Sequence, residues 1–271
     1  MKALSRVYIA ICFAILYAPI AVLILFSFNS TASTGVFAGF SLRWYKELFS
    51  SGEILSALRN SVILAVASAV ISTAIATGAA VGLSRMRSAR LRGGIISLTN
   101  IPMMNPDIVT GISMMLLFVF VGTMLRVSGD KLNFWTILIA HVTFCLPYVY
   151  LSITPRLRQM DKHLPEAAQD LGCTPLQSFF KVELPFIMPG IISGMIMAFT
   201  LSLDDFVISY FTTSESEFTT LPILIYSMTK KEVKPVVYAL STLIIVTIIS
   251  LLLLSNFAKR DKTKKANQTK I

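Results

Sequence analysis

Four ionisable side chains fall inside long apolar stretches: Asp107, His141 and the adjacent pair Asp204 and Asp205. A carboxylate in hydrocarbon costs roughly 2.5–3.5 kcal/mol on insertion scales, so it normally faces a cavity or a partner. No Lys or Arg shares these stretches. A cation is therefore the natural counter-charge, which favours amines or metal cations over phosphate or sulfate. Adjacent helical positions diverge by about 100°, so Asp204 and Asp205 cannot face one path equally. One is expected to meet a cationic cargo while the other caps, pairs or becomes neutral. Phe206, Tyr210 and Phe211 follow closely and can offer cation–π contacts or simply anchor a helix at the interface.

Asp107 follows Pro102 and Pro106, which can break a helix where it lines protein or water. The alternative is local, with Asn105 as an N-cap and Pro106 at the first helical position. His141 is expected to be a satisfied core residue. Tyr226 lies in an unusually apolar segment, 221–228, expected either at the outer surface or folded back as a gate.

The chemistry of an enzyme is missing from this set. The chain has no G-x-x-x-x-G-K-[ST], no H-E-x-x-H and no G-x-S-x-G, the patterns that cradle phosphate, hold zinc or present a nucleophile. Cys12, Cys145 and Cys173 have neither metal-ligand nor disulfide spacing. No catalytic residue and no metal site are expected.

The elements that must position these groups are membrane helices. Of 271 residues, 55% are hydrophobic and 14% charged, with a mean hydropathy of +0.72; soluble domains carry roughly 25% charged residues. Six segments can cross a bilayer, which takes roughly 20 helical residues: 7–28, 61–84, 94–125, 134–153, 186–212 and 235–257. None alternates as a barrel strand would. The fold class is all-α, a polytopic bundle of about six transmembrane helices.

Lys and Arg partition sixteen to eight across the two sides if the N-terminus is inside, so both termini are expected in the cytoplasm. The net charge of +10 then reports topology rather than nucleic-acid binding. Lys2 and Arg6 precede an apolar run longer than a usual signal core, so an uncleaved first span is expected. Residues 1–257 are expected to form one transmembrane domain, and 258–271 a basic cytoplasmic tail. Gly78 with Gly82, and Gly190 with Gly194, have the spacing that lets helices approach closely.

The loop 165–185 carries the strongest local signals. Pro165 and Glu166 suit a first helical turn, and Gly172 suits the positive-φ position after a helix. Thr174, Pro175 and Gln177 form a capping-box pattern. Leu184-Pro185 is expected to end the second helix. The product is a capped helical hairpin on the cytoplasmic face.

Glu166-Ala167-Ala168, three residues, Gly172, nine residues and Val182-x-Leu184-Pro185 resembles the EAA loop of ABC-importer permeases, with Val182 where Ile is more usual. Met104 to Val109, His141 to Pro147, Thr200 to Asp205 and Arg260 to Lys264 are similar to the PotC-type permeases of spermidine/putrescine importers. The resemblance implies that Glu166, Ala167, Ala168, Gly172, Leu184 and Pro185 couple to an ATPase. It also implies a partner permease of the PotB type, a cytoplasmic ATPase pair that keeps ATP and Mg, a periplasmic polyamine-binding protein and a bacterial inner membrane. This chain itself would hold no cofactor. The acids alone leave two rivals open: an ABC permease for another cation, and a secondary transporter using Asp107, Asp204 or Asp205 as ion sites.

Overall fold

The computed structural model describes residues 2–32, 35–126, 131–161, 163–214, 218–231 and 235–246. Among them regular structure is helical, apart from an isolated bridge between Asn29 and Phe40. In chain order the helices are α1 (Lys2–Ser27), α2 (Arg43–Ser50), α3 (Gly52–Ser84), α4 (Ala89–Met104), α5 (Asp107–Met124), α6 (Phe134–Gln159), α7 (Leu164–Asp170), α8 (Pro175–Ser178), a π-helical turn Phe179–Glu183, α9 (Leu184–Asp204), α10 (Val207–Thr212) and α11 (Leu221–Lys231). A shorter apolar helix, α12, covers Pro235–Val246. Five described helical runs are long and apolar enough to cross a membrane. The sixth expected span, 235–257, is described only to Val246, and the expected tail 258–271 lies outside the described residues.

Two compact units emerge, Met1–Leu55 with Ile225–Ile271, and Ser56–Leu224. In the first, the apolar window of α1 buries none of its residues within the chain, as suits a surface offered to lipid or another helix. The segment after it is pinned by Asn29, whose side chain accepts from Ala38 N and donates to Val36 O, both at 2.9 Å. The Trp44 indole of α2 donates to Asn29 O at 2.6 Å.

The second unit is built around α6. An Asn133–Thr136 capping box starts this helix, and 61% of its apolar window is buried. Its Phe144, Val149 and Ile153 pack with Ala69, Ala76 and Ala80 of α3, Ile187 and Ala198 of α9, and Ile208 of α10. Lipid is as apolar as these side chains, so close packing and polar ties hold such helices together.

Three expected boundaries change. The span 94–125 divides at Pro106, one of the two prolines expected to allow a break, while Pro102 stays inside α4: α4 closes on Asn105, and α5 restarts at Asp107. Pro106 has no N–H to continue the ladder, and its ring disfavours helical backbone at Asn105. Asn105 therefore ends one helix rather than capping the next. The stretch 186–212 also divides, at Asp204–Asp205. By contrast, Leu184-Pro185 does not stop the second hairpin helix, which continues into α9.

The two glycine pairs part company. A Cβ on Gly190 would meet Ser152 O at 3.0 Å and Ile153 Cα at 3.3 Å, and one on Gly194 would meet Val149 Cα at 3.2 Å. Both contacts involve α6 backbone. Gly78 and Gly82 have nothing within 4 Å. Gly190→Ala and Gly194→Ala are each expected to destabilise the solubilised protein by about 1–3 kcal/mol, as overpacking does. Gly78→Ala and Gly82→Ala should leave its thermal midpoint unchanged or raised, and equal shifts at all four positions would refute the contrast.

Candidate functional site: a capped hairpin and two helix breaks

The hairpin closes as its sequence requires. Pro165 lies in the first turn of α7 with Glu166, whose carboxylate is 3.2 Å from His163 Nδ1. At the other end Gly172 adopts φ +89°. Its N–H donates to Gln169 O at 2.9 Å, and Cys173 N–H donates to Ala168 O at 3.1 Å, the bond pair of a Schellman motif. Thr174 then opens α8: Gln177 N donates to its hydroxyl at 3.3 Å, and Thr174 N donates to Gln177 Oε1 at 3.0 Å. Ser178 Oγ donates back to Pro165 O at 3.0 Å, tying the two helices together. Leu171 and Leu176 are 87% and 68% exposed, so the hairpin presents apolar side chains to whatever covers it.

Beyond Ser178 the backbone widens into a π turn, and Leu184 N–H donates to Phe179 O, five residues back. Pro185 lacks a donor, and its ring would collide with the carbonyl four residues earlier in an α-helix. A single wide turn relieves that conflict without ending the helix. Pro175 to Asp204 is consequently one unbroken helical run. Glu183, the last π residue, is buried and ion-paired with Arg85 just beyond α3. A cavity of about 1020 Å³ opens beside this pair, lined among others by Arg85, Arg92, Arg158, Glu166 and Glu183.

The second set of groups gathers at the breaks. Asp205 follows the last residue of α9 and turns its carboxylate onto the start of α10, accepting from Ile208 N at 3.3 Å and Ser209 N at 2.7 Å. Its Oδ2 is also 3.5 Å from His141 Nε2. His141 is fully buried; Nδ1 is 2.7 Å from Ser202 Oγ and Nε2 is 3.0 Å from Ser209 Oγ. Ser68 Oγ of α3 continues the chain to Ser202 at 2.8 Å. Of the two adjacent acids, Asp205 thus holds the helix break, while Asp204 is exposed.

Asp107 is exposed in the first turn of α5, where a carboxylate favours the positive helix end. The two breaks are neighbours, because α10 packs on α5: a Cβ on Gly111 would meet Phe211 Cδ2 at 3.0 Å and Val207 O at 3.5 Å. Phe206 and Tyr210 lie 5.5 Å apart between ring centroids, and Tyr210 is the same distance from Phe211. Asp107, Asp204, Asp205, Phe206 and Tyr210 therefore belong to one unit. Tyr226, on α11, belongs to the other. Sequence reasoning missed the serines that hold His141 and the Arg85–Glu183 pair. The first had a faint signal in the Ser202 and Ser209 that flank the acids; the second had none.

Membrane-length helices interrupted at carboxylates, with a capped hairpin leading directly into one span, define a membrane permease subunit. Residues 74–260 match the family of binding-protein-dependent transport system inner membrane components, and the chain belongs to that family. It is accordingly a multi-pass inner-membrane transport protein rather than an enzyme, the permease of an ABC importer that works with a periplasmic binding protein and a separate ATPase.

Among its relatives, the putrescine transport system permease protein PotI of Escherichia coli (strain K12) is 44% identical over 233 residues, covering 86% of this chain and 82% of that one. The spermidine/putrescine transport system permease protein PotC of the same strain is 39% identical, covering 93% and 92%. PotC of Haemophilus influenzae is 38% identical, covering 95% and 96%. Among solved structures, a bacterial ABC transporter involved in the import of the acidic polysaccharide alginate superposes with a TM-score of 0.72 at 15% identity, covering 96% of this chain and 95% of that one. That likeness speaks to the fold alone.

Proposed function

We propose that this chain is one of two membrane subunits of an ATP-driven polyamine importer, paired with a permease of the PotB type. The relatives named for putrescine and spermidine support the cargo class, as do the exposed acids Asp107 and Asp204, whose apolar stretches hold no Lys or Arg. The excess of Lys and Arg around the hairpin supports its cytoplasmic location. A periplasmic binding protein delivers a polyamine, and the hairpin takes up the stroke of an ATPase that binds ATP and Mg itself. The observation that carries this reading is the unbroken helix from the hairpin into the membrane. Movement of α8 passes through the π turn directly into α9, and α9 ends at the acids. Alternating access is the mechanism, with the ammonium groups passing Asp107, Asp204 and the rings of Phe206 and Tyr210.

Proteoliposomes holding this chain, its partner permease and the ATPase provide the test, with loaded binding protein outside and ATP within. Spermidine or putrescine should accumulate, and omitting ATP or the ATPase should abolish uptake. Uptake of another cation but neither polyamine would replace the cargo. Gradient-driven uptake by this chain alone would overturn the mechanism in favour of a secondary transporter.

A further inference from the structure

We infer that the Arg85–Glu183 ion pair is the strut through which hairpin movement reaches α3, making both positioning residues for transport. The inference rests on the importer reading and names a mechanical part within it. Glu183 stands at the junction of the hairpin and α9, with its side chain 3% exposed. Arg85 lies one residue beyond α3, with its side chain 55% exposed.

The helices around this junction are tied in different ways. α9 is locked to α6 by direct backbone approach at Gly190 and Gly194, so those two helices move together. α3 has no such glycine contact, since a Cβ on Gly78 or Gly82 would meet nothing within 4 Å; its core face carries Ala69, Ala76 and Ala80, with Val81 and Leu83 near the Arg85 end. Directed bonds join α3 to the α9 run at the far end of α9, through Ser68 and Ser202, and at the hairpin end, through Arg85 and Glu183. Only the second lies where the stroke enters.

Leaving a buried carboxylate without its partner is strongly unfavourable, so displacement of Glu183 draws Arg85 and the end of α3 with it. The adjoining cavity gives the pair room to travel.

Charge exchange in the complete transporter tests this. Arg85→Glu and Glu183→Arg should each lower polyamine uptake about tenfold, within the ordinary range of coupling free energies. The complex should still co-purify with its ATPase and hydrolyse ATP, but loaded binding protein should no longer stimulate hydrolysis. The double exchange should restore both stimulation and at least about a third of wild-type uptake, because opposite charges again meet across the same gap.

Single variants that transport normally, or a double exchange no better than either single, would overturn the strut. If a reversal prevents assembly, Glu183→Gln decides: it keeps the volume and one acceptor, and should assemble yet lose about threefold in uptake, a coupling loss below 1 kcal/mol. Normal uptake by Glu183→Gln would refute the strut. A wild-type complex that failed to import polyamine would instead fault the importer reading itself.

Discussion

Replacing Gly172 with valine is expected to lower ATP-driven uptake more than tenfold while the chain still inserts and assembles with its partner permease. Gly172 holds φ +89°, a region that costs a residue with a Cβ on the order of 1–3 kcal/mol and a β-branched one more. Space is not the obstacle, since a Cβ there would meet nothing within 4 Å. The penalty is conformational and falls on the Schellman turn that aims α8 relative to α7. Gly172→Asn, which tolerates positive φ better, should keep most of the activity. ATP hydrolysis stimulated by loaded binding protein is the sharper readout, because a misaimed hairpin loses stimulation before it loses docking. Valine and asparagine variants that behave alike would show that the turn geometry does not matter.

The adjacent acids should respond differently to neutralisation. Asp204→Asn removes the charge of an exposed carboxylate that ends α9. Uptake should fall about tenfold, the loss of roughly 1.4 kcal/mol along the path, with expression and thermal midpoint unchanged. Asp205→Ala removes the acceptor for Ile208 N and Ser209 N and should destabilise the protein by about 1 kcal/mol or somewhat more. Asp205→Asn retains one of the two acceptor oxygens and should lose less stability than Asp205→Ala. A stability loss at Asp204, or a pure transport loss at Asp205, would reverse this division of labour. Yield, thermal midpoint and uptake measured on the same preparations distinguish the outcomes.

Local signals were legible in the sequence wherever a residue type has one strong use. Gly172 at positive φ and the Thr174–Gln177 box both appear at their expected positions, because turn and cap chemistry depends on neighbours a few residues away. Asp204 and Asp205 were expected to divide their roles within one unbroken span; the structure breaks the helix there and assigns the capping to Asp205. Pro185 misled for a physical reason: a proline ordinarily ends a helix, and whether one wide turn absorbs it depends on packing around Phe179 and Glu183.

Long-range facts were not legible. Gly78 with Gly82 and Gly190 with Gly194 share one spacing, yet only the second pair meets a neighbouring backbone. Ser68 and His141 lie far apart in sequence and meet at Ser202, and nothing in local pattern joins Arg85 to Glu183. Each depends on which helices become neighbours.

A single cysteine on the hairpin tests its cytoplasmic, ATPase-facing position most directly. Ala167 is exposed on α7, so Ala167→Cys, with Cys12, Cys145 and Cys173 replaced by serine, offers one accessible thiol. This thiol should be shielded from impermeant reagents outside intact cells. It should cross-link to the ATPase in the assembled transporter, at a yield that changes as ATP binds and is hydrolysed. Labelling from outside the cell, or no cross-link to the ATPase in a complex that imports polyamine, would contradict that position.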